Sequence, residues 1–169
     1  LLSLPTERVD SSLAFLSNLP PTSHQFVAVD PDSGKVLGSA GLMQRSGRSA
    51  HVGDLGIMVL PEAQGKGIGR ALMQALIDLA DNWLLLDRLA LTVFAHNERA
   101  HKLYLSLGFE EECRLQKACV TGGAYGDEIA MGRLRPGFVP PPPKPFTLPE
   151  AMKGEPAPTR IRPLRREDC

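Results

Sequence analysis

This sequence of 169 residues has no excess charge of either sign: 19 Lys and Arg balance 19 Asp and Glu. It therefore lacks the electrostatic footprint of a nucleic-acid binder or of a protein drawn to anionic membranes. No apolar run approaches the roughly 18 residues that a membrane-spanning helix needs. No signal-peptide pattern opens the chain. The expectation is no nucleic acid, no membrane and a cytoplasmic location. Cysteine is scarce, and the three present show no metal-ligand spacing. Cys113 and Cys119, in what reads as one strand, would stand roughly 20 Å apart at about 3.3 Å per residue. That is too far for a disulfide, and free thiols in a reducing compartment are expected. His24, His51, His96 and His101 likewise lack zinc spacing, so no metal is expected. The length suits one ordinary domain with a real core rather than two. The chain opens on Leu1 rather than Met, as a fragment or a processed chain would.

What the sequence does have is Val59-Leu60-Pro61-Glu62-Ala63-Gln64-Gly65-Lys66-Gly67-Ile68-Gly69-Arg70. The apolar residues Leu55, Ile57, Met58 and Val59 read as a buried strand, alternating glycines follow, and helical spacing begins at once. A strand that feeds a helix through a glycine turn leaves unpaired N–H groups at the positive end of the helix dipole. Such an end suits phosphate oxygens, and glycines let a diphosphate approach the main chain. The spacing is neither Gly-x-x-x-x-Gly-Lys-Ser/Thr nor Gly-x-Gly-x-x-Gly.

Along the chain, Ser11 to Leu19 has weak helical character before Pro20-Pro21. Gln25 to Asp30 reads as a strand, Pro31 to Gly34 as a turn, and Lys35 to Gln44 as the returning strand. His51 to Val59 is the central apolar strand. From Ile68 to Trp83, apolar residues recur at three- and four-residue steps (Ile68, Ala71, Leu72, Ala75, Leu76, Leu79, Ala80, Trp83), which predicts one helix with one face on a sheet. Arg88 to Phe94 is a second buried strand, parallel to the first if that helix is the crossover. Asn97 is an N-cap for a short helix from Glu98 to Leu107, which Gly108 stops. Phe109 to Val120 and Tyr125 to Leu134 form a last hairpin about Thr121 to Ala124. The pattern is a mixed α/β domain with a central βαβ unit.

Read at Gln64, Gly67 and Gly69, the loop fits Gln-x-x-Gly-x-Gly and resembles the acetyl-coenzyme A loop of the GNAT N-acetyltransferase superfamily. Leu91 to Ala100 resembles that family's strand and loop in which an Asn contacts the coenzyme arm, here Asn97. Lys102 to Phe109 resembles its Leu-Tyr-x-x-x-Gly-Phe helix, here with Tyr104. The matching runs cover about Gln25 to Leu134 in the right order. The resemblance implies acetyl-CoA as co-substrate and an amine as acceptor. It implies cofactor contacts from Ile57, Met58, Val59, Gln64, Gly65, Lys66, Gly67, Ile68, Gly69, Arg70, Asn97 and Tyr104. Lys66 and Arg70 also read as solvated charges, Asn97 as a plain cap and Tyr104 as a core aromatic.

Transfer to an amine requires a neutral nucleophile, a donor for the developing oxyanion and a proton for the departing thiolate. The resemblance assigns the oxyanion donor to the main chain of a bulged strand, here Gly56 to Val59, and the thiolate proton to Tyr104. Asp54 is the first candidate for the base, with His51 and Asp127 as others. The branch resembled most is that of bacterial L-amino-acid N-acetyltransferases, through Asp81 to Leu84, Leu91 to Phe94, Gly123 to Asp127 and Met131 to Arg133. It implies acetylation of the α-amine of a free amino acid. Protein N-terminal acetyltransferases are near neighbours, and a regulatory module that binds coenzyme A without transfer is the reading from another class.

The ends depart from the family pattern. The chain begins past the usual opening strand and helix, with 1–135 as the core. A Pro-rich linker runs over 136–158, including Pro140 to Pro143. In the last segment, 159–169, Arg160-Ile161-Arg162-Pro163-Leu164-Arg165-Arg166-Glu167-Asp168 looks like the missing first strand. It is expected to pair at the sheet edge within the chain, to pair through residues 160–165 with a second copy in a homodimer, or to begin a truncated second domain.

Overall fold

The computed structural model describes residues 17–139 and residue 142. The absence of an opening strand and helix, most of the Ser11–Leu19 segment, most of the Pro-rich linker, and the 159–169 segment with its strand exchange lie outside the described residues. No helix among the described residues is long and apolar enough to cross a membrane.

Six strands form one sheet: β1 (Ser23–Val29), β2 (Val36–Gln44), β3 (Val52–Val59), β4 (Arg88–Phe94), β5 (Glu110–Thr121) and β6 (Ala124–Leu134). Their spatial order is β1-β2-β3-β4-β6-β5. Every neighbouring pair is antiparallel except β3 and β4. A parallel pair needs a crossover, which the helix α1 (Ile68–Asp78) supplies. The expected mixed α/β sheet with a central βαβ unit is therefore the observed one. The hairpins follow from turn chemistry. Asp30 Oδ1 accepts from the N–H groups of Asp32 and Ser33 at 3.0 and 2.9 Å, and these bonds hold its carboxyl below the usual range. Gly122 and Gly123 both take positive φ, 59° and 80°, as a two-residue hairpin turn requires.

The core lies on one face of the sheet. Leu42, Leu89 and Met131 from three strands meet Leu72, Met73 and Leu76 of α1. Tyr104, from the second helix α2 (Glu98–Leu105), joins the same cluster with Phe109. Strand alternation turns Gln25, Ser39, Asp54, Met58 and Phe94 to the opposite face, which neither helix covers.

The predicted helix to Trp83 is corrected at its end. After Asp78 the chain makes a π-turn over Leu79–Trp83, with Leu84 N donating to Leu79 O at 2.9 Å. A π-turn breaks the 3.6-residue phase. Ala80 stays buried, while Trp83 swings out to 76 % exposure instead of lying on the sheet. The turn is anchored from below, because both Asp81 oxygens accept from Arg133 of β6 at 2.9 and 2.8 Å. The two cysteines described are free, Cys113 exposed and Cys119 buried.

Candidate active site

The site begins where β3 and β4 part. They pair only at Val52↔Arg88, Gly53↔Leu89 and Asp54↔Ala90. Beyond Asp54, β3 continues to pair with β2 alone, through Gly38↔Val59. Val52 O accepts from Arg45 N, and Leu60 N donates to Leu37 O, each at 2.9 Å. Antiparallel alternation then turns the main chain of residues 52, 54, 56, 58 and 60 toward β2. That of Leu55, Ile57 and Val59 faces the gap that β4 has left. The β2–β3 register runs without a shift, so divergence from β4, not the expected bulge, opens the gap. Val59 O accepts from Gln64 Nε2 at 3.2 Å, which folds the glycine loop back on the strand.

In that loop Gly65 and Gly67 take φ of 82° and 81°, a region costly to residues with a Cβ. Gly67 caps α1, and the N–H groups of Ile68, Gly69 and Arg70 have no carbonyl behind them in the helix. Arg70 Nη2 donates to Ser106 Oγ at 2.8 Å, which ties the loop to the end of α2. Arg99 was not among the expected site residues. Its Nη1 donates to Gln64 Oε1 at 3.2 Å, and a Cβ at Gly65 would stand 3.1 Å from its Nη2. Its place two residues after Asn97, at the start of α2, was the signal available in the sequence.

A cleft of about 1020 Å³ runs from this loop through the parted strands to the open face. It brings together Ile57, Met58, Val59, Gln64, Gly65, Gly67, Gly69, Arg70, Asn97, Tyr104 and Asp54. Lys66 and Ile68 do not line it. Asn97 is the predicted cap, its Oδ1 accepting from Ala100 N at 3.2 Å, and it still reaches the cleft. Tyr104 is 6 % exposed, its ring edge-on to Phe109 with centroids 6.1 Å apart. Burial pushes its phenol above the ordinary value, which keeps it protonated.

The base candidates fare differently. Asp54 accepts from Arg45 Nε and Nη2 at 2.7 and 2.6 Å, and this bond raises the Arg45 guanidinium further. Its carboxylate is thus engaged at both oxygens. Asp127 accepts from Lys117 N and Arg114 Nε, each at 2.9 Å, and both bonds lower its carboxyl. It borders a separate cavity of about 370 Å³. His51 is exposed at the start of β3, the end away from the glycine loop, and lines neither cavity.

Comparison with known proteins agrees with this geometry. An L-amino acid N-acetyltransferase, AaaT, of Escherichia coli (strain K12) is 40 % identical over 93 residues, which are 55 % of this chain and 57 % of that protein. The spermidine N(1)-acetyltransferase of Vibrio cholerae is 37 % identical over 83 residues, 49 % of this chain and 48 % of that one. The chain thus spans about half the length of the curated relatives it matches. The solved structure of a GCN5-related N-acetyltransferase from Kribbella flavida superposes with a TM-score of 0.68 at 35 % identity, covering 78 % of this chain and 80 % of the other. The model of the acetyltransferase (GNAT) family matches residues 3–109. That span takes in the parted strands, the glycine loop and the helix bearing Tyr104, and the chain belongs to the GNAT acetyltransferase family.

Proposed function

We propose that this protein is an acetyl-CoA-dependent N-acetyltransferase acting on a primary amine, foremost the α-amine of a free L-amino acid. The observation that carries the reading is the continuous cleft from the Gly65–Gly67 loop through the β3–β4 gap to Tyr104. The loop fits a diphosphate, since a Cβ at Gly65 would meet Arg99 and both glycines sit at positive φ. In this reading the first amides of α1 hold the diphosphate. The outward main chain of Ile57 and Val59 holds the coenzyme arm as an added strand would, and an N–H there meets the oxyanion. Asn97 orients the arm. The co-substrate supplies an acetyl group on a good leaving thiolate.

Tyr104 has the matching task of giving its proton to the departing thiolate, since its phenol is protonated at neutral pH and lies within the cleft. Transfer is direct, in a ternary complex. The amino-acid acceptor draws on the similarity to the Escherichia coli enzyme, and the free thiols of Cys113 and Cys119 fit a cytoplasmic location. The test is coenzyme A release from acetyl-CoA against free amino acids, polyamines and short peptides. Turnover with apolar L-amino acids is the expected result. Coenzyme binding without turnover on any amine would leave only a regulatory module, and turnover on peptides alone would place the protein with N-terminal acetyltransferases.

A further inference from the structure

At the level where β3 and β4 part, the open face of the sheet holds a carboxylate that is not among the residues lining the cleft and that the sequence reading did not single out as a base. Glu128 of β6 is 9 % exposed and is the buried charged residue among those described. Its side chain makes no hydrogen bond or ion pair among the described residues. The Glu128 oxygens are not among the sealed, unpartnered side-chain atoms of the described residues. The side chain is therefore packed in while its oxygens keep access to solvent. Its neighbours Ile129 and Met131 alternate with it and belong to or border the helix-covered core, so Glu128 points to the open face.

Register fixes its height along the strands. Glu128 pairs with Phe94, four residues past Ala90, and Ala90 pairs with Asp54. Four residues past Asp54 is Met58, so Glu128, Phe94 and Met58 share one level, on one face, where β3 and β4 have parted. Asp54 lies four residues behind that level. Acidic groups nearby are already matched: Asp54 to Arg45, Glu112 to Arg88 and Asp127 to Arg114.

A packed carboxylate that no cation of the described fold matches, with its oxygens open to solvent, is free to pair with a cation from outside. We propose that Glu128 is the acceptor-side anion that receives the ammonium group of the acceptor and takes its proton. The exposed Met58 and Leu115 beside it suit an acceptor with a single ammonium and an apolar body rather than a polyamine. This rests on the transferase reading above. The ammonium gives one proton to the Glu128 carboxylate, and the freed nitrogen lone pair forms the N–C bond to the acetyl carbon. The C–S bond then breaks, and the sulfur takes the Tyr104 proton. The second nitrogen proton returns through solvent to the phenolate. One proton leaves to water from Glu128, so amide, thiol and one proton balance the ammonium and thioester.

The test compares the full chain with Glu128→Gln and Glu128→Asp in the coenzyme-release assay, with coenzyme A binding by calorimetry and melting temperature measured alongside. Glu128→Gln is expected to lose roughly 100-fold or more in kcat/KM, with coenzyme affinity unchanged and melting temperature not lowered. Glu128→Asp, which keeps the charge, retains more activity than Glu128→Gln. Wild-type kcat/KM in Glu128→Gln, a lowered melting temperature or the reverse order of the two variants would overturn the assignment. Failure of the unsubstituted protein with every amine would instead sink the transferase reading itself.

Discussion

Replacing Tyr104 with Phe separates the chemistry of the site from its packing. The ring is buried, 6 % exposed, and rests edge-on against Phe109 at 60°. Phenylalanine keeps that contact. The hydroxyl has no hydrogen-bond partner among the described residues, and its oxygen is not among the sealed, unpartnered atoms. Its removal orphans nothing, and stability should change by no more than about 0.5 kcal/mol. The proposed reaction loses the acid that meets the thiolate, a deficit of roughly 10²- to 10⁴-fold in kcat. At about 1.4 kcal/mol per tenfold, that is about 3–5 kcal/mol of barrier.

Steady-state release of coenzyme A, beside a denaturant titration, reads both quantities. Tyr104→Ala is the contrast, because emptying the ring site should cost about 3–5 kcal/mol of stability as well. The direction of the phenol shift adds a second check. Because burial raises it above the ordinary 10.0, the folded protein keeps this proton at a pH where the unfolded chain has lost it. That stability is present below about pH 10 and lost as pH rises above it, and Tyr104→Phe removes this alkaline loss. A Tyr104→Phe enzyme within threefold of the unsubstituted kcat would refute the assigned role.

Gly65→Ala places a Cβ at φ 82° and 3.1 Å from Arg99 Nη2, for about 1–2 kcal/mol of strain. Calorimetry should show coenzyme A binding weakened about tenfold, and unchanged affinity would mean the loop does not hold the diphosphate. Arg133→Ala strips a pair whose side chains are only 10 % and 16 % exposed. It should destabilise by about 3 kcal/mol in urea, and a loss under 1 kcal/mol would show that the π-turn does not depend on that anchor. The Asp127 carboxyl is lowered by the Lys117 N–H and Arg114. The folded form therefore favours its ionised state, and this contribution is present above about pH 4 and lost as pH falls below it. Exchange of the Lys117 amide should quicken there and not in the neutral range; acid-independent exchange would contradict the clamp.

The proposed cofactor half of the site was legible because it is written in short range. Strand, glycines and helix follow one another from Leu55 to Asp78, and local spacing alone places N–H groups at a helix end. Asn97 was readable as a cap for the same reason. The acceptor half was not, because it depends on register between segments far apart in the chain. Asp54 looked like a base on its strand position, yet Arg45 at the end of β2 occupies both its oxygens. Nothing in the sequence sets Glu128 apart; its burial and its level beside Phe94 do. Trp83 fitted the helical period, and the π-turn that expels it is held by Arg133, fifty-two residues away in sequence from Asp81.

By itself the sequence determined the order of elements, the βαβ crossover and the glycine loop, since each follows from periodicity, turn chemistry and capping within a few residues. Only the tertiary structure decided that β3 and β4 separate after Asp54 and leave main-chain groups facing a cleft. It also decided which acids are already matched by arginines. Both depend on pairing between strands, whose free energy is non-local and leaves no trace in any single segment.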